Sequence, residues 1–253
     1  MENAQYPGSQ WKGKLWYAYG TSMTLDSSGR FVRYLSELSG LRVVNYGAGG
    51  RGITENIGGY SSDAVIRHRA MDLTDGKKDA DLITVEVGPN DSGAPLGSIY
   101  DTGDDTFCGC LNQTIRFLQA NTDAQIVVLS MTGSRWSHLD PNEKFTPARR
   151  SSPPSGEPYT WYEMACAIRD VSGVNGVYYI PVAESCGLSI ARMGSDTRYV
   201  RDQIHHTDLG GYNVAQFIWS RLKDIPLWYS EMPACAAPAV GNARPACAGA
   251  TRD

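Results

Sequence analysis

The chain has 253 residues, 42% hydrophobic and 20% charged, with 27 glycines and 13 prolines. That length suffices for one large domain burying roughly 70–75% of its unfolded surface, and the composition excludes a mostly disordered chain, a collagen and a coiled coil. Lys+Arg 23 against Asp+Glu 27 gives a formal charge of −4, which disfavours a broad phosphate-binding surface, so nucleic acid is not an expected partner.

Short β-branched runs alternate with helical stretches along the chain. Lys14–Tyr19, Arg42–Tyr46, Asp81–Val87, Gln125–Met131 and Val177–Val182 read as five buried strands. Between and after them lie helix candidates at Arg30–Ser39, Ser62–Leu73, Asp104–Asn121, Tyr159–Val171 and Asp208–Lys223. Gly40 reads as the stop of the first helix and Asp208 as a cap for the last. This alternation predicts an α/β fold, a five-stranded parallel sheet between helices in three layers. Residues 1–229 form the predicted domain. The Ala/Pro/Gly-rich segment 230–253 reads as a flexible tail, and the polar 134–157 stretch as a long excursion after the fourth strand.

No apolar run approaches the roughly 18–20 residues that a spanning helix needs, so membrane insertion is not expected. Met1–Pro7 shows neither a basic leader nor an apolar export segment, leaving the cytoplasm as the default compartment. Cysteines 108, 110, 166, 186, 235 and 247 are too sparse for a disulfide scaffold. They read as buried or free thiols, with a Cys235–Cys247 bridge left open.

Candidate chemistry gathers at the ends of the predicted strands. Ser22 closely follows the first strand in Gly20-Thr21-Ser22, where a parallel sheet presents its ligands. A nucleophilic serine needs a base, and the base needs a partner for its other ring nitrogen. Asp202-Gln203-Ile204-His205 supplies such a pair within one turn. Of the other histidines, His68 falls in a charged stretch read as surface and His138 in the excursion. The second strand runs into Asn45-Tyr46-Gly47-Ala48-Gly49-Gly50, whose small residues let backbone amides approach a ligand closely. The third ends in Gly88-Pro89-Asn90-Asp91, where an asparagine amide can donate. Acyl transfer requires such prearranged donors for its oxyanion.

These four blocks, in this order, resemble the SGNH (GDSL-type) hydrolases, esterases and lipases on a flavodoxin-like sheet. The resemblance spans most of residues 15–222. It implies Ser22 as nucleophile, His205 as base and Asp202 as its orienting acid. It also implies an oxyanion hole made of the Ser22 and Gly50 amides and the Asn90 side chain. Two positions depart from the family pattern. Thr21 replaces the usual aspartate between glycine and serine, and His206 follows His205 where proline is frequent; a one-residue ambiguity about the base survives, with His205 favoured by its three-residue offset from Asp202.

The expected activity is hydrolysis of short-chain acyl esters, acetylated carbohydrate first among them, with Arg51, Arg135 and Trp136 as substrate contacts and no cofactor or metal. The opposing expectation is a glycan-binding module on the same fold, with Trp136, Tyr159 and Trp161 as stacking faces, although these aromatics serve equally well as core or loop anchors. Gly47–Gly52 also fits GxGxxG, but it follows the second strand and lacks the acidic residue that dinucleotide binding requires.

Overall fold

The computed structural model describes residues 9–54, 66–72, 79–91, 94–130, 144–145, 157–188, 196–202 and 204–227. In chain order these form β1 (Leu15–Gly20), α1 (Phe31–Ser39), β2 (Arg42–Gly47), α2 (Ile66–Met71), β3 (Leu82–Val87) and α3 (Phe107–Asn121). There follow β4 (Gln125–Ser130), β5 (Lys144–Phe145), β6 (Tyr159–Thr160), α4 (Trp161–Val174), β7 (Tyr178–Ile180), α5 (Val182–Ser185) and α6 (Asp208–Leu222). The tail 230–253, with Cys235 and Cys247, and the contacts expected from Arg135 and Trp136 lie outside the described residues. Of the 134–157 excursion, Lys144–Phe145 pairs antiparallel with Tyr159–Thr160.

Five strands pair in the order β2-β1-β3-β4-β7, every neighbour parallel. β3 and β4 are buried at all six positions, the continuous apolar reading of strands covered on both faces. The chain leaves β1 for β2 on one side and then for β3 on the other. That reversal opens a crevice at the carboxyl ends of β1 and β3, where parallel sheets bind ligands.

Alternation along β1 divides the core. Trp16 and Ala18 face one way with Leu82, Val127 and Leu129, packing on Phe31 and Leu35 of α1 and Val214 and Ile218 of α6. Tyr17 and Tyr19 face the other way with Ile83, Val85 and Val128, against Ile66 of α2, Leu111 and Ile115 of α3 and Ile168 of α4. The result is the expected three layers. Buried tryptophans tie them without orphaning their N–H groups: Trp16 donates to Thr84 Oγ1 at 2.9 Å and Trp11 to the Leu222 carbonyl at 2.9 Å.

Two local expectations need correction. Thr207, not Asp208, caps α6: its hydroxyl accepts the Gly210 amide at 3.2 Å. Asp208 is the first helical residue and instead pairs with Arg30 at 2.7 Å and Arg33 at 2.9 Å, joining the starts of α6 and α1. The Arg67-His68-Arg69 stretch is not simply a solvated face. Arg67 is 4% exposed and donates to Gln113 of α3 at 3.0 Å.

Leu35 is fully buried between α1 and the sheet. Leu35→Ala should lower the unfolding free energy by about 2–5 kcal/mol, read from urea denaturation, through lost transfer energy and the cavity left behind.

Candidate active site

The loops leaving β1, β2 and β3 are bonded to one another before any chemistry is considered. The Ala48 amide donates to the Gly20 carbonyl at 2.9 Å, and the Asn45 side chain to the Thr24 carbonyl at 2.8 Å. Glycine is required where these turns cross. A Cβ on Gly20 would lie 2.0 Å from Thr24 Oγ1 and 2.5 Å from Glu86 Oε2, and one on Gly52 would lie 2.3 Å from Asp91 Oδ1. Gly50 has φ 66°, a left-handed conformation that glycine adopts without steric cost.

Ser22, at the end of β1, is brought to the histidine from the far end of the chain. Its Oγ lies 3.0 Å from His205 Nε2, and His205 Nδ1 lies 2.7 Å from Asp202 Oδ2. The ring nitrogen facing the carboxylate carries the proton, so Nε2 is left as an acceptor for the Ser22 hydroxyl. Asp202 Oδ1 accepts the His205 and Ile204 backbone amides at 2.7 and 3.1 Å. Burial tends to raise the Asp202 carboxyl, but these backbone bonds and the imidazole outweigh it and hold it below the ordinary carboxylate range.

The choice between adjacent histidines is decided by burial. His206 is fully buried, and its Nδ1–H donates to the Gly29 carbonyl at 3.2 Å, closing the loop that Ser22 begins. At the same loop the Ser28 hydroxyl donates to the Ser22 carbonyl at 2.5 Å. Burial pushes the His206 imidazole down to about 4, the Gly29 carbonyl opposing and the neighbouring His205 adding to the fall.

Among the described residues, the amide N–H groups of Ser22 and Gly50 meet no acceptor. The Asn90 amide donates one N–H to the Arg51 carbonyl at 2.8 Å, which fixes its plane while a second N–H remains on the same nitrogen. Of the expected substrate contacts, Arg51 is half-buried in this loop. Tyr159, offered as a stacking face for a glycan, is 3% exposed and donates to the Ala94 carbonyl at 2.9 Å. It is a core anchor, and Trp161 is the half-buried first residue of α4.

Two residues of the site went unnoticed in the sequence. Glu86, in β3, is fully buried, and its Oε2 accepts the Thr21 amide at 2.6 Å, the Thr21 hydroxyl at 2.8 Å and the Thr24 hydroxyl at 3.0 Å. The carboxylate absent from position 21 thus reaches the Ser22 turn from the neighbouring strand. Asp91, also fully buried, does the same for the next loop. Its Oδ1 accepts the Ile53 and Thr54 amides at 2.8 and 2.9 Å and the Thr54 hydroxyl at 2.8 Å. Burial raises both carboxyls, Glu86 to about 7 and Asp91 to about 6, against the pull of these donors. A glutamate inside a valine-rich strand (Leu82-Ile83-Thr84-Val85-Glu86-Val87) was the signal available, since an unpaired charge is not buried there.

No family model and no curated protein matches this chain. Solved structures do. A structural-genomics protein from Lactobacillus plantarum is 22% identical, with TM-score 0.66 over 85% of this chain and 99% of that one. A putative GDSL-like lipase from Bacteroides ovatus is 13% identical, with TM-score 0.59 over 85% and 100%. A catalytic mutant of Axe2, an acetylxylan esterase from Geobacillus stearothermophilus, is 14% identical, with TM-score 0.56 over 88% and 100%. The fold expected from the four sequence blocks is the fold of these structures, a GDSL-like lipase among them.

His206 gives the site a measurable pH signature. The unfolded imidazole takes a proton below its model value of 6.5, whereas the folded one resists until about 4. Its contribution to stability is therefore full at neutral pH and is lost as pH falls across that window, by about 3 kcal/mol. Glu86 and Asp91 act oppositely, because their raised carboxyls favour the folded state on the acid side and lose that contribution as pH rises through 6 to 7. Urea titrations of the native protein and His206→Asn at neutral pH and near pH 4 separate the two effects. The native protein's advantage over the variant should shrink by about 3 kcal/mol on acidification. A constant difference would mean that His206 does not titrate in this way.

Proposed function

We propose that the chain is a serine esterase that cleaves short-chain acyl esters through an acyl-enzyme. The observation that carries this reading is the unbroken series Ser22 Oγ, His205 Nε2, His205 Nδ1 and Asp202 Oδ2, with steps of 3.0 and 2.7 Å across it, at the carboxyl edge of the sheet. A hydroxyl in that position loses its proton to Nε2 as Oγ bonds to the ester carbonyl carbon. The imidazolium so formed is stabilised by Asp202, whose bonds from the His205 and Ile204 amides keep it ionised and aimed.

The carbonyl oxygen gains negative charge as this bond forms. The Ser22 and Gly50 amides and the Asn90 side chain leave the adjacent strands β1, β2 and β3, and in this reading they donate to it. Collapse of the tetrahedral intermediate expels the alcohol, which takes the proton from His205. Water then adds to the acyl-Ser22 ester by the same route in reverse, returning the proton to Ser22 and releasing the acid. The Asn90–Arg51 bond matters here because a donor already fixed in direction costs no reorganisation during the reaction.

An acetyl ester of a carbohydrate is the substrate favoured within this class. The acetylxylan esterase of the same fold supports it, and Arg51 supplies a polar wall at the glycine loop. The glycan-binding alternative loses Tyr159 to the core. It also leaves the aligned serine, histidine and aspartate without a use.

Ser22→Ala should abolish hydrolysis of p-nitrophenyl acetate while circular dichroism stays native; undiminished turnover would refute the nucleophile assignment. Asn90→Ala should lower kcat by roughly 10²–10³, about 3–4 kcal/mol, if its amide meets the oxyanion. Because the base must be neutral, kcat/KM should fall with acid; a rate flat from neutral down to strongly acidic pH would contradict this. A panel of p-nitrophenyl esters from acetate to palmitate, with acetylated xylan alongside, sets the acyl length. Preference for palmitate would exclude the short-chain assignment.

A further inference from the structure

Glu86 lies behind the Ser22 turn, and hydrolysis as described does not use it. Three hydrogens converge on its Oε2: the Thr21 N–H, the Thr21 O–H and the Thr24 O–H. Thr21 Oγ1 is occupied on its other side, accepting the Met23 amide at 3.0 Å. Thr21 and Thr24 flank Ser22 and are each 1% exposed, so water does not stand in for a lost partner. Oε1, on the same carboxyl, is buried with no partner among the described residues.

The count of protons decides what this cluster tolerates. An ionised carboxylate oxygen can accept all three hydrogens. A fourth proton finds only a threonine oxygen to accept it, and that threonine's own hydrogen then loses its acceptor. On Oε1 it points into a site without a partner, and on Oε2 it displaces one of the threonine donors. Either way a buried donor is left unsatisfied, and the turn must shift to relieve it.

We propose that Glu86 is a positioning residue that holds the Ser22 turn in its reactive geometry only while its carboxylate is ionised. This rests on reading Ser22 as the nucleophile. Ser22 has little room to move: its Oγ is 3.0 Å from His205 Nε2, and a misplacement of about 1 Å can cost on the order of 10²-fold in rate. Burial pushes the Glu86 carboxyl up to about 7, the threonine donors pull it back, and the Asp91 charge in the turn after β3 adds to the rise. Opposite Glu86, β4 presents Leu129, and the β1 turn presents Thr21 and Thr24. The Glu86 ionisation thus adds to the acid limb of the activity profile.

The test is steady-state hydrolysis of p-nitrophenyl acetate by the full chain from about pH 5 to 9. In the native protein, log kcat/KM should fall more steeply with acid than a single ionisation allows. Glu86→Gln keeps an acceptor oxygen but no charge. It should lower kcat at the alkaline plateau by about tenfold or more with KM within about threefold, and reduce the limiting acid slope by about one. A native plateau and slope in this variant would overturn the proposal. Thr24→Val, which removes one donor and keeps the charge, should move the second ionisation up by about one unit; an unmoved profile would also overturn it. Infrared difference titration needs no turnover: acidification should produce the C=O band of a buried neutral carboxyl that Glu86→Gln lacks, and its absence from the native protein would count against Glu86 titrating. Ser22→Ala separates the failures. Turnover that survives Ser22→Ala removes the nucleophile reading itself, whereas Ser22-dependent turnover with a native profile in Glu86→Gln removes only the role of Glu86.

Discussion

A carboxylate oxygen taken out of water and surrounded by three donors is the constraint around which this site is built. It occurs twice on the segment formed by β3 and its following turn. Glu86 gathers the Thr21–Thr24 turn, and Asp91 gathers the Ile53–Thr54 end of the glycine loop. Each is costly to bury, and charge-assisted bonds, stronger than neutral ones, offset part of that cost. Removing either would leave donors stranded in the interior. The loops after β1 and β2 are therefore not free to drift, although neither is regular structure. β3 and the turn after it thus supply both clamps, and that turn also carries Asn90, which reaches the Arg51 carbonyl.

The fold sets the stage for this arrangement through strand order. Because β1 sits between β2 and β3, the turns that follow all three leave the same edge side by side. The reversal of direction around β1 keeps crossing helices away from that edge. The histidine segment joins them from the start of α6, held there by the Thr207 cap, the Asp208–Arg30 ion pair and the buried His206 bonded to Gly29. His205 and His206 are neighbours with opposite fates: one half-exposed ring is aligned between an acid and a hydroxyl, and the other is a neutral structural pin. Burial alone separates them.

Much of this was legible from residue order. The strand and helix positions follow from apolar periodicity and agree with the structure within a few residues, since a strand covered on both faces must be apolar throughout. β7 is shorter than expected, Tyr178–Ile180 of Val177–Val182, because Pro181 carries no amide hydrogen for the ladder and Val182 already begins α5. The Asp202–His205 spacing was equally readable, because three residues is a local distance. The misread elements share a cause. Asp208 resembled a cap until tertiary structure placed arginines beside it, and Tyr159 resembled a stacking surface until packing covered it.

Local periodicity and short motifs determined the layered α/β class, the edge at which the site would form, and the identity of Ser22, Gly50, Asn90, Asp202 and His205 as candidates. Those features depend on neighbours along the chain, which one sequence displays. Only the folded chain decided which histidine faces Ser22, that Tyr159 is interior, and that Glu86 and Asp91 clamp the two loops. Each depends on contacts between residues 37 to 183 positions apart, and on desolvation, which exists only once the layers have closed over a side chain.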